Sequence, residues 1–265
     1  MLPPREAMHP QLADEREILD RPPPPADRRI PYGSGPQQFG DLRLPAGPGP
    51  HPVAIVLHGG FWRAQYDLLH IGHLCAALTV RGIATWSLEY RRVGQPGGGW
   101  PGTFEDVKSG AAMLSQLPEL DPQRAISIGH SAGGHLALYL AAERVVRGAV
   151  SLAGVADLHG GARRNLGNGA VQDFMGGSPD ELAEEYAIAS PKARLPLGRP
   201  QVLIHGELDD IVPIELVREY ADAAAAAGDP VTLHALPGTG HFAVIDPTSR
   251  AWVTVEAAVV ELLDI

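Results

Sequence analysis

The stretch Ala125-Ile126-Ser127-Ile128-Gly129-His130-Ser131-Ala132-Gly133-Gly134-His135-Leu136-Ala137-Leu138 decides how the rest of the chain is read. A short apolar run leads into a serine with a glycine two residues before it and another two residues after it. Apolar residues suited to a helix follow at once, so the order is strand, sharp turn, helix. A serine on such a turn sits in a strained backbone geometry where bulky flanking side chains would clash. Its hydroxyl is held out at the end of a strand, where the following helix N-terminus favours developing negative charge.

Outward from that turn the chain alternates. Runs rich in Val, Ile and Leu at 53–57, 83–88, 125–128, 148–152, 201–204 and 231–236 each suit a strand buried on both faces. Segments at 66–81, 103–117, 132–143, 214–227 and 249–263 carry helical spacing between them. Strands alternating with helices predict an α/β fold with a mostly parallel sheet, helices on both faces and right-handed crossovers, with 38–44 added as an edge strand. No internal repeat or second core is evident. The expected organisation is a Pro-rich extension over 1–31, one α/β domain over 32–265, and a small cap or lid insert at 153–200. The extension, with its PPPP run at 22–25, is expected to be mostly extended or surface-lying, with a role as cover for the pocket as a further idea.

Composition excludes several classes. With 21 Lys plus Arg against 31 Asp plus Glu and a net charge of −10, the footprint of a nucleic-acid or anionic-membrane binder is missing. The single Cys75 allows neither an internal disulfide nor a thiolate zinc site. No apolar run has the length of a membrane span, and the charged N-terminus lacks a secretory pattern, so a cytoplasmic location is expected. Gly at 31 and Pro at 25 of 265 residues are in excess, and much of that excess falls in the loops after strands.

Those loops should carry the chemistry, because ligands of such sheets sit at the carboxyl ends of the strands. Ser131 is the candidate nucleophile and needs a base oriented by a carboxylate. After the run at 201–204 come Glu207, Asp209 and Asp210, of which Asp209 is chosen as the acid with Asp210 as runner-up. After 231–236 comes Gly240-His241-Phe242, whose histidine is the candidate base. His58-Gly59-Gly60-Phe61-Trp62 follows the first core strand and offers backbone donors for an oxyanion, assigned to Gly60 and Ala132 with Phe61 as a third. His58 is expected to pin that loop. The loop aromatics Trp62, Trp100, Phe174 and Phe242 are expected to line an apolar substrate pocket. His70 and His73 stand three apart, with no third ligand of comparable spacing, and no metal or organic cofactor is expected.

Together, HGGFW at 58–62, GHSAGGHLAL at 129–138, HGELDDIVP at 205–213 and GTGHF at 238–242 resemble an α/β-hydrolase of the esterase/lipase superfamily over about residues 30 to 265. Glu89-Tyr90-Arg91-Arg92, Trp100-Pro101 and Glu105-Asp106-Val107 are similar to a structural stretch of the hormone-sensitive-lipase-like esterases, which implies a scaffold ion pair between Arg91 and Asp106. Phe61 replaces the third glycine of an HGGG loop, and the resulting HGG-x-W pattern is also seen in kynurenine formamidases and similar bacterial esterases. The resemblance implies a serine hydrolase with Ser131, Asp209 and His241 as its triad, acting on a small-molecule ester or amide: a carboxylesterase for short-acyl or aryl esters, or an arylformamidase. A hydrolase-fold protein that binds ligand without turnover is the reading from another class, weakened because the whole set of residues is present.

Overall fold

The computed structural model describes Leu12 and residues 15–265. Its centre is an eight-stranded sheet in the order β1-β2-β4-β3-β5-β6-β7-β8. The strands are β1 (Arg28–Pro31), β2 (Phe39–Arg43), β3 (His51–Leu57), β4 (Ala84–Leu88), β5 (Leu120–His130), β6 (Ala149–Leu152), β7 (Gln201–Gly206) and β8 (Val231–Leu236). β1 and β2 pair antiparallel, as do β2 and β4, and every later pairing is parallel. This is the α/β-hydrolase fold.

Burial on both faces explains the apolar runs. Along β3, Val53, Ile55 and Leu57 belong to one core while Ala54 and Val56 belong to the other, the period-two alternation of a strand with both faces covered. The first core is closed by α2 (Gly102–Ala112), α3 (Ala132–Ala142) and α7 (Ile214–Ala226), with Phe104, Leu136 and Tyr220 inside it. The second is closed by α1 (Gly72–Val80) and α8 (Trp252–Leu263), with Leu74, Cys75 and Val259 inside it.

Four expectations need correction. Residues 38–44 do not form the sheet edge, because β1 pairs outside β2, Arg29 opposite Asp41, and so places the sheet's first strand before the expected boundary at residue 31. The expected two-sided burial fails at β8, whose residues are mostly half-exposed because it is the other edge. The expected helix at 66–81 begins as a single 3-10 turn at Leu68–Ile71, capped by the Asp67 carboxylate accepting the Leu69 N–H, before α1 proper starts. Of the extension, residues 1–11, 13 and 14 lie outside the described residues. Arg16–Leu19 form a 3-10 turn with Ile18 fully buried in the second core, so this part does not merely lie on the surface.

The insert at 153–200 folds as α4 (Leu158–Arg163), α5 (Ala170–Met175) and α6 (Ala183–Ala189) between β6 and β7. The Arg91–Asp106 pair is two-pronged, at 2.8 and 2.7 Å, and ties the loop after β4 to α2.

Candidate active site

The site is built where β5 turns into α3. Ser131 takes φ +55° and ψ −116°, a strained conformation for a residue with a side chain. Its backbone is held on both sides, its N–H donating to Leu152 O at 2.8 Å and its own carbonyl accepting from Gly134 N at 2.9 Å. The flanking glycines are required by close backbone approach. A Cβ on Gly129 would collide with the Gly133 carbonyl, and one on Gly133 with the Leu57 and His58 carbonyls.

Ser131 and His241 line the same cavity, about 30 Å³, together with Gly60, Phe61, His130 and Phe242. His241 Nδ1 lies 2.7 Å from Asp209 Oδ2. Asp209 is fully buried at the end of β7, and its other oxygen accepts the N–H groups of Ile211 at 2.9 Å and Val212 at 2.8 Å. His205 Nε2 stands 3.2 Å from Asp209 Oδ2. Burial alone would raise the Asp209 pKa. The facing His241 and the hydrogen bonds from His205 and His241 outweigh it and hold the carboxyl far below the usual range, so Asp209 is a carboxylate at neutral pH. Of the neighbouring candidates, Asp210 faces Arg16 at 3.7 Å and Glu207 faces Arg218 at 3.4 Å, so Asp209 is the carboxylate on His241.

The loop after β3 passes beside the serine. Gly60 takes φ +112°, and Phe61 and Trp62 both take φ +54°. The Gly60 conformation also meets a steric need, since a Cβ there would run into Tyr66. Gly60 and Phe61 border the cavity, and Ala132 opens α3 directly after Ser131, where a helix leaves its first N–H groups without intrahelical partners. His58 is tied down as expected: Nδ1 lies 2.7 Å from Gly59 O and Nε2 lies 3.1 Å from Glu89 Oε1, with the ring stacked on Tyr90.

The expected aromatic lining is largely displaced. Phe242 borders the cavity, but Trp62, Trp100 and Phe174 do not. Two successive left-handed residues leave Phe61 at the cavity and send the Trp62 indole into the core, where it stacks on Phe174 with ring centroids 4.5 Å apart. Trp100 packs edge-on against Phe104 at 4.8 Å, and its backbone N–H donates to Phe174 O at 2.8 Å. This aromatic pile docks α5 onto the sheet rather than receiving a ligand.

Other cavity residues carried no strong signal in the sequence. Leu19, Tyr66 and His70 line it from segments outside the four quoted motifs, and Ile211 lines it from within the 205–213 stretch. His130, inside the glycine–serine motif, has its Nε2–H on the His241 carbonyl at 2.9 Å and so steadies the loop that carries the base. Burial, then the neighbouring His241 and His70, push its pKa well down, so it is neutral. Burial and the neighbouring His58 push His70 down to about 3. Among the described residues no group of three or more His, Cys, Asp or Glu side chains is arranged to hold a metal ion, and no helix is long and apolar enough to cross a membrane.

The chain is 28% identical over 255 residues to the esterase LipC of Mycobacterium tuberculosis, covering 84% of this chain. It spans between 48% and 63% of the length of the curated esterases it matches. Among solved structures it is similar to an inhibited esterase B from Lactobacillus rhamnosis, with TM-score 0.78, 19% identity and coverage of 96% of this chain and 92% of that one. It is also similar to the propionate-bound esterase Est2 of Thermogutta terrifontis, with TM-score 0.74, 21% identity and coverage of 91% and 94%. The prolyl oligopeptidase family model matches residues 61–259, which takes in Ser131, Asp209 and His241, and the chain therefore belongs to that family of α/β-hydrolases.

Proposed function

We propose that this protein is a serine carboxylesterase for small acyl esters. The carrying observation is that Ser131, strained at φ +55°, shares one small cavity with His241, whose other side is held 2.7 Å from the buried Asp209 carboxylate. In this reading His241 takes the Ser131 proton as the oxygen attacks the acyl carbon, and Asp209 fixes the imidazole tautomer and stabilises the imidazolium. The carbonyl oxygen, now negative, takes N–H donors from Gly60 or Phe61 and from Ala132. Its collapse expels the alcohol, which receives the proton from His241. Water, deprotonated by the same histidine, then releases the acid and restores the serine hydroxyl. No step calls on a metal or an organic cofactor.

A cavity of about 30 Å³ has room for about two waters, which suits an acetyl-sized group. The same limit favours a second substrate, because formyl is smaller still. Hydrolysis of an N-formyl arylamide is therefore the alternative to a short ester, in line with the HGG-x-W loop at 58–62. Rates on p-nitrophenyl acetate and on N-formyl-kynurenine separate the two. Ser131→Ala should abolish both turnover and labelling by a fluorophosphonate while leaving the circular dichroism unchanged. Near wild-type turnover in that variant would overturn the assignment.

A further inference from the structure

The N-terminal segment reaches the site from far away in sequence. Leu19 borders the inner cavity, and it also borders an outer groove of about 370 Å³ that opens beside Gln65 and Asp67. Leu19, Tyr66 and His70 are the residues common to both, so they stand where the two spaces adjoin. Tyr66 and His70 belong to the segment that packs behind the oxyanion loop, Tyr66 against Gly60 itself. Leu19 comes from outside that machinery.

Its position is fixed by anchors on both neighbouring loops. The Glu15 carboxylate accepts the Gly240 N–H at 3.0 Å, next to His241. Arg16 pairs with Asp210 at 3.7 Å, next to Asp209, and its guanidinium lies 5.9 Å from the Phe242 ring centroid. Ile18 is fully buried in the second core, Arg21 pairs with Asp246 at 3.2 Å, and His73 Nε2–H donates to Arg21 O at 3.2 Å. A side chain with fixed points on each side makes a wall of defined place.

We propose that Leu19 sets the acyl length this enzyme accepts: its side chain closes the cavity holding Ser131 off from the outer groove, and shortening it joins the two. The inference rests on the esterase reading above. After the alcohol leaves, the acyl group stays bonded to Ser131 and must fit the inner cavity, so the partition acts on the acyl half of the ester.

The test uses the full chain with p-nitrophenyl acetate, butyrate, hexanoate and octanoate, active enzyme being counted by titration with a small fluorophosphonate. In Leu19→Ala the ratio of hexanoate to acetate kcat/KM should rise by about tenfold or more over wild type, and in Leu19→Phe it should fall, effects of the size a pocket exerts on added methylenes. A second series holds the acyl group as acetate and varies the alcohol from methyl to benzyl, and there Leu19→Ala should leave the order of preference as it was. A hexanoate ratio within twofold of wild type, or a shift in the alcohol series in place of the acyl series, overturns the gate while leaving the esterase assignment standing. A wild-type protein that is neither labelled nor active on any ester overturns the esterase assignment and the gate together.

Discussion

Of the buried histidine–carboxylate contacts at the carboxyl end of this sheet, two join neighbouring loops in contrasting ways. His241 with Asp209 joins the loops after β8 and β7, and His58 with Glu89 joins those after β3 and β4. Each carboxylate also accepts backbone N–H groups, Ile211 and Val212 on Asp209, Leu68 and Tyr90 on Glu89. Both His58 nitrogens face oxygen acceptors, and Glu89 faces Arg92 at 3.0 Å as well, so the pair is consumed internally. His241 instead spends one nitrogen on Asp209, and its ring borders the cavity with Ser131. A buried carboxylate under a histidine therefore does not by itself mark catalysis. What distinguishes the two is whether the ring keeps a nitrogen facing space that a substrate can enter.

The comparison breaks most sharply at the carboxylates. Asp209→Asn should lower kcat by about 10⁴-fold with little change in KM, because the amide disturbs the imidazole tautomer and the charge stabilisation it provides. Asp210→Asn should stay within about threefold of wild type, since Asp210 faces Arg16. Steady-state kinetics on one ester measures both, and equal losses in the two variants would show that the acid has been misassigned.

Glu89→Gln should give the opposite profile. The variant leaves Arg92 and His58 buried beside a neutral amide, and breaking a buried ion pair on one side costs about 3 to 5 kcal/mol of stability. Urea unfolding should show that loss, while kcat per titrated active site changes by less than about tenfold. A loss of kcat as large as in Asp209→Asn, with stability unchanged, would make the Glu89 pair part of the chemistry and dissolve the distinction.

The same contrast explains what the sequence made legible. Ser131 and His241 stand out as candidates because their signals are local, a glycine-flanked serine between strand and helix and a histidine in a glycine loop after the last strand. The fold was readable because strands covered on both faces must be apolar runs. The choice between Asp209 and Asp210 rests on a turn in which the Asp209 side chain accepts two N–H groups, which no composition encodes. Trp62 and Phe174 misled because an aromatic in a loop looks the same whether it lines a pocket or fills the core beneath one. β1 was missed because RRIP lies on the exposed edge and lacks apolar alternation, and Leu19 because its partners lie at the far end of the chain.

A smaller effect comes from the buried neutral histidines. His135, fully buried in α3 with Nε2–H on Ala189 O at 2.9 Å, has its pKa lowered by burial to about 4, and His130 is lowered well below 6.5 as well. Unfolded histidines titrate near 6.5, so below that pH the unfolded chain binds protons that the folded chain refuses. Stability from these groups is complete above about pH 6.5 and is lost as pH falls toward 4, by up to about 1.4 kcal/mol per pH unit for each histidine. Asp209 has the depressed carboxylate pattern, so its contribution is present above its ordinary value of 3.8 and is lost only at lower pH. Between pH 4.5 and 6.5 the slope of unfolding free energy against pH should therefore report the histidines. His135→Asn should flatten that slope by close to one proton, measured by urea unfolding at half-unit steps. An unchanged slope would mean that His135 accepts a proton in the folded state, and that the core beneath the serine turn is more polar than its packing shows.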